Sequence, residues 1–191
     1  MGLFSGMSSR AVLPSPIAAS LGLVRGERAL AFGVDDFTGG YVVATNFALA
    51  VVSITAPTPG DGTTDAPAPA AERTLRRPWL FVDAGSWEPD TETLTVTWTD
   101  GRRAGQWSFA DQSTRLPETL RERVQASVVI ATPLRLGDRR SGRVAIRQDF
   151  ETRGLIAQTM LGRYTRADDL EVQAHVKAAL AHLRDEVGLP A

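Results

Sequence analysis

From Glu27 onward the chain alternates short apolar runs with turn residues, the pattern of an antiparallel sheet. ERALAFGV leads through Asp35-Asp36 and Gly39-Gly40 into YVVATNFALAVVSI, where Thr45-Asn46 is the expected turn between two strands buried on at least one face. Leu94, Val96 and Trp98 alternate with Thr93, Thr95, Thr97 and Thr99, which predicts a strand with one apolar and one wettable face. Asp100-Gly101 follows as a hairpin turn, a pair that suits the type I′ form with positive φ at both central residues. On the return strand Trp107 and Phe109 share a face, and core packing is their expected role.

The period then changes. Leu116, Leu120, Val124 and Val128 recur every four residues, predicting a helix over 117–131 that starts at Pro117 and is ended with help from Pro133. GRVAIRQDFETRGLIAQTML reads as a second hairpin turning within 149–154, with Val144 and Ile146 alternating on its first arm. A last helix is predicted over 168–187. Asp168 and Glu171 stand at capping positions, Val172, Val176, Leu180, Leu183 and Val187 form the stripe, and Gly188 and Pro190 end it.

Two stretches lack this patterning. Residues 1–25 are rich in small residues and interrupted by Pro14 and Pro16, with apolar runs too short for a signal segment, so a disordered or loosely docked arm is expected. Gly2 invites a myristoyl group, but Gly6 stands where that motif wants Ser or Thr. Residues 56–71, APTPGDGTTDAPAPAA, hold no large apolar side chain and cannot repay the entropy of ordering; a mobile insertion between neighbouring strands is expected. No run approaches the roughly 20 apolar residues of a membrane span.

Composition narrows the chemistry. With no cysteine there are no disulfides, thiolate metal sites or cysteine nucleophiles, which fits a reducing, cytoplasmic setting. A net charge of −1 gives no global drive toward nucleic acid or anionic lipid, so such binding would need a local patch. Lys177 is the one lysine, and the arginine excess reads first as the codon bias of a GC-rich genome.

The common catalytic signatures are absent: no GxxxxGK[ST], GxGxxG after a strand, GxSxG or HExxH. No cofactor or metal is expected. His175 and His182 lie on one side of the last helix, as a metal pair, a pH-sensitive seam, or, preferred here, two residues flanking the apolar stripe. Asp35-Asp36 falls in a turn and Asp168-Asp169 at a helix start, where carboxylates meet the helix dipole. Trp79, Trp87, Trp98 and Trp107 all fall in the sheet, and most read as core. The remaining candidate is Arg135, Arg139, Arg140, Arg143 and Arg147, of which Arg143 and Arg147 share a strand face; the cluster is either an anion or partner grip or a charged edge that blocks aggregation.

Several antiparallel strands followed by one amphipathic helix, carried by GERALAF, YVVATNFALAVV, RTLRRPWLFVDAGSWEPD, TLTVTWTDG and LPETLRERVQASVV, resemble the bacterial pleckstrin-homology-like superfamily, closest to an uncharacterised actinobacterial group. The resemblance implies an α+β protein: a strongly bent antiparallel β-barrel of about seven strands over 26–131, capped by a helix. A hairpin and helix over 132–191 are expected to pack on it. Eukaryotic relatives bind phosphoinositides, peptides or protein surfaces. Lipid binding there uses a basic loop between the first two strands, and here that loop is GVDDFTGG, so phosphoinositide binding is not expected. The leading expectation is a non-enzymatic interaction module for another protein. The first alternative is nucleic-acid or anionic-surface binding through the arginine-rich hairpin with Arg121 and Arg123; the second is an enzyme or small-ligand site in the barrel mouth.

Overall fold

The computed structural model describes residues 12–55, 70–110, 112, 114–137 and 139–190. The chain is α+β; the described residues form three separate antiparallel sheets and three α-helices, and among them no closed barrel forms.

The first sheet is a meander, β1 (Ala29–Val34), β2 (Tyr41–Thr45), β3 (Ala48–Thr55) and β4 (Ala70–Pro78), in that spatial order. The turn between β2 and β3 is held by the Thr45 hydroxyl, which accepts from the N–H groups of Phe47 (3.1 Å) and Ala48 (2.8 Å). Residues 56–69 of the expected mobile insertion lie outside the described residues, whereas Ala70 and Ala71 already belong to β4 and pair with Thr55 and Ile54. Pro78 cannot donate to the ladder. There the chain turns through one 3-10 turn, Trp79–Phe81, into a second sheet of β5 (Val82–Glu88), β6 (Thr93–Trp98) and β7 (Gly105–Ser108). The Asp100-Gly101 turn differs from type I′: only Gly101 has positive φ (70°), and its N–H bonds the Trp98 carbonyl at 3.2 Å.

Helix α2 (Leu116–Ser127) follows, and the two sheets and this helix share one core. Val42, Ala44 and Leu49 come from the first sheet, Val82, Leu94, Val96 and Trp98 from the second, and Leu116 and Leu120 from α2, around Trp79 and Phe109. Three of the four tryptophans contribute aromatic anchoring. The buried Trp79 indole donates to the Thr45 carbonyl (2.9 Å), the Trp98 indole to the Arg103 carbonyl (3.0 Å), and Trp87 stacks on Phe109.

Three elements depart from the sequence reading. Within the arm expected over 1–25, Ser15–Leu21 is a helix, α1, which buries Ile17 and Leu21 on the outer face of the first sheet beside Val43, Ala50 and Val52. Seven residues cannot hold a helix in water unaided; two buried aliphatic side chains, worth about 1.5–3 kcal/mol each, do so. Helix α2 stops at Ser127, short of the expected residue 131, because Val128, Val129 and Ile130 are β-branched and continue as β8 (Val128–Pro133). The last helix, α3 (Leu170–Glu186), starts one residue later than its cap was placed: Asp169, not Asp168, accepts the Glu171 N–H at 2.9 Å.

Strand β8 joins β9 (Gly142–Gln148) and β10 (Leu155–Leu161) in a third sheet of order β10-β9-β8, so β10 is an edge strand. Alternation along β9 turns Val144 and Ile146 toward α3, where they share a core with Leu134, Leu136, Val172 and Leu183.

Candidate binding site

The arginines singled out in the sequence are divided by the fold. Arg143 and Arg147 do share a face of β9, but the fold leaves the first exposed and buries the second. Arg143 pairs with Asp83 at the start of β5. Arg147 is 1% exposed. Its guanidinium donates to the carbonyls of Val82 (2.8 Å), Trp79 (3.1 Å) and Val124 (3.4 Å) and, through Nε, to the Ser127 hydroxyl (3.1 Å). One side chain therefore ties β9 to the 3-10 turn, β5 and the C-terminal end of α2. Burial holds the Arg147 guanidinium well below its ordinary value, to about 10, with Asp83 pulling back part of the shift and Arg143 adding to it. It stays charged at neutral pH and has no surface to offer a phosphate.

Arg140 is spent at the α3 N-terminus on Asp169 (3.2 Å) and Glu171 (2.8 Å). Arg135 and Arg139 are exposed in the β8–β9 loop, where Arg139 takes a left-handed backbone (φ 63°). Of the five, Arg135, Arg139 and Arg143 are thus exposed, the last paired with Asp83, whereas Arg140 is half-buried and Arg147 buried, so they form no continuous stripe.

The other sequence candidates also resolve into structure. Asp35 is buried and accepts from the Thr38 N–H (3.1 Å) and hydroxyl (2.7 Å) and from the Ser108 N–H (3.0 Å); Asp36 accepts from the Ala110 N–H (2.6 Å). The acidic pair is a clasp from the β1–β2 loop to the end of β7. His175 Nδ1 meets the Glu171 carbonyl (2.9 Å) and His182 meets Glu186 (2.9 Å), both contacts within α3. Among the described residues no group of three His, Cys, Asp or Glu side chains could hold a metal ion. Among the described residues no helix is long and apolar enough to cross a membrane.

What the sequence did not single out is a groove of about 600 Å³ between α3 and the edge of β10. Its walls are apolar: Leu161 from β10, and Val172, Val176, Leu180 and Ala181 from α3. Lys177 and Arg184 border it, no acidic residue lines it, and among the described residues neither cation has an ion-pair partner. The volume falls in the range of ordinary ligand sites.

The register of β10 adds a second property. Gly162 N–H bonds the Ser141 carbonyl (2.8 Å) and Asp149 N–H bonds the Gly154 carbonyl (2.9 Å), which marks both as hydrogen-bonded pairs of the β9–β10 ladder. Such pairs alternate along an antiparallel ladder. With 143↔160, 145↔158 and 147↔156 in register, Ile156, Gln158 and Met160 turn their backbone groups to β9, and Ala157, Thr159 and Leu161 turn theirs outward. Among the described residues no hydrogen bond reaches those outward groups. The side chains of Ala157 and Leu161 lie on the α3 side, in the same core. An unpaired strand edge and an apolar trough therefore lie side by side.

The histidines, carboxylates and arginines drew notice by type, but the groove is built of ordinary Leu, Val and Ala. Of its lining, Val172, Val176 and Leu180 read only as the core stripe of the last helix, Lys177 stood out merely as the lone lysine, and Arg184 was not singled out. No protein-family model, curated protein or solved structure matches this chain.

Proposed function

We propose that this protein is a non-enzymatic interaction module that binds another protein through the groove between α3 and β10. The observation that carries the reading is the coincidence of an apolar trough of about 600 Å³ with main chain along one wall that is unpaired among the described residues. An apolar site with few polar groups is suited to hold side chains. The other expected surface, the arginine hairpin, is largely consumed by internal contacts, which lowers the case for nucleic acid.

The pleckstrin-homology-like reading belongs here too. A four-stranded and a three-stranded antiparallel sheet around a common core, followed by one helix, support it for the first part of the chain. In this account that part is a scaffold. The binding surface is on the appended third sheet and α3, so fold and function are separable.

The test is a differential pull-down from the native host at low salt, with nuclease, using the wild-type chain, Ala181→Arg and Arg135→Glu. Ala181 is exposed on the groove wall, so the arginine obstructs the trough without entering the core. A protein lost with Ala181→Arg and kept with Arg135→Glu is the expected result. Equal recovery by all three, or nuclease-sensitive nucleic acid lost with Arg135→Glu, overturns the proposal.

A further inference from the structure

The geometry points to strand addition: we infer that the occupant of the groove is an extended peptide segment that pairs with the open edge of β10, with alternate apolar side chains in the trough and an acidic side chain at its rim. This deepens the interaction-module reading and rests on it.

The first ground is the main chain. The outward N–H and C=O groups of Ala157, Thr159 and Leu161 lack partners among the described residues, and an extended peptide satisfies them in register. Natural proteins blunt such edges with charge, proline, a bulge or a covering element. Strand β10 reads LIAQTML, without charge or proline, and its pairing with β9 carries no bulge. A flat, uncharged edge is a hazard if unused and a template if used.

The second ground is the trough. Side chains of an added strand alternate between faces. Those on the α3 side meet Leu161, Val176, Leu180 and Ala181, which accept aliphatic or aromatic groups. A helix in the same groove would leave the β10 edge unpaired, so the main chain favours a strand.

The third ground is charge. Lys177 and Arg184 lie seven positions apart on α3, about 10 Å along the axis, or three residues of extended chain. Both are without ion-pair partners among the described residues, and no carboxylate lines the groove, so an acidic side chain is drawn there and a basic one repelled.

The experiment selects binders from a displayed library of random linear dodecapeptides against the full-length chain, then measures the enriched peptides on three variants. Thr159→Pro removes one outward N–H while leaving the β9 ladder intact, since that N–H faces away from β9. Ala181→Arg fills the trough. Lys177→Glu with Arg184→Glu reverses the rim.

The expected result is a motif with apolar residues at alternate positions and at least one acidic residue. Its affinity falls about tenfold or more on Thr159→Pro and on Ala181→Arg, and several-fold on rim reversal, with the salt dependence lost. Backbone amide signals of Ala157, Thr159 and Leu161 shift in the complex. Peptides that lose binding with Ala181→Arg but not with Thr159→Pro overturn strand addition and leave groove docking standing. Peptides indifferent to both overturn the groove itself. An enriched motif that is basic, or no enriched motif at all, overturns the acidic extended occupant, as does a wild-type dimer in sedimentation that Thr159→Pro dissolves.

Discussion

Replacing Arg147 separates two opposed contributions of a buried cation. The side chain costs stability because its charge is held out of water: a depression of its pKa to about 10 corresponds to about 3 kcal/mol. It also contributes stability, because it satisfies carbonyls that β9 would otherwise bury. Of these, the Val124 carbonyl keeps the Ser127 hydroxyl (2.7 Å) and the Trp79 carbonyl keeps the Val82 N–H, so the Val82 carbonyl is the one stranded. A stranded buried carbonyl costs about 1–3 kcal/mol, with a smaller loss at the others. Arg147→Met keeps the stem, removes the burial penalty and loses the donors, so the terms nearly offset and a net loss of about 0–2 kcal/mol is expected. Arg147→Lys keeps the charge buried but lacks the planar fork, and should cost more, about 2–4 kcal/mol. Arg147→Ala adds a cavity and lost methylenes to the Met result, and about 3–5 kcal/mol is expected. Urea unfolding of the full chain followed by tryptophan fluorescence reads all three. The reasoning is refuted if methionine costs as much as alanine, or if lysine is the mildest of the three.

Three further outcomes follow from the packing and the charges. Asp35→Ala removes the acceptor shared by Thr38 and Ser108 and should cost about 2–3 kcal/mol in urea unfolding; a loss under 0.5 would mean water replaces the carboxylate. Gly33→Ala places a Cβ 2.7 Å from two ring carbons of the buried Phe109. Overpacking of about 1–3 kcal/mol is expected, seen as a lowered Tm, and an unchanged Tm would show that the ring yields freely. The hydrogen bond from Arg77 holds the Asp100 carboxyl below its ordinary 3.8, so its stabilisation is complete above that value and is lost as pH falls through the folded value. Asp100→Asn should therefore flatten the fall in stability below pH 4; an unchanged acid limb would show that the pair contributes nothing.

Much of the fold was legible because its signals are local. The alternation at Leu94, Val96 and Trp98, the hairpin turn within 149–154 and the stripe of α3 each depend on neighbours in sequence, and each appears in the structure. Helix α1 and strand β8 were missed for opposite reasons. The first is held by burial of Ile17 and Leu21 on a distant sheet, whereas the second continues a four-residue rhythm that β-branching overrides. Arg147 shows the limit of reading charge as surface: alternation placed it beside Arg143 correctly, and only the third dimension shows that Arg147 is interior while Arg143 is exposed. The groove was illegible because it is made by topology. Val176 and Leu180 read as core, yet they are only half-buried, since β10 is an edge and no strand pairs beyond it among the described residues.

The central claim, that partners dock between α3 and β10, is tested most directly by a photo-crosslinking amino acid placed singly at Ala181, Gln173 or Arg135 in the native host. The account predicts that one partner protein is captured from Ala181 and Gln173, which line the groove, and not from Arg135 in the β8–β9 loop. Capture from Arg135 alone would contradict it.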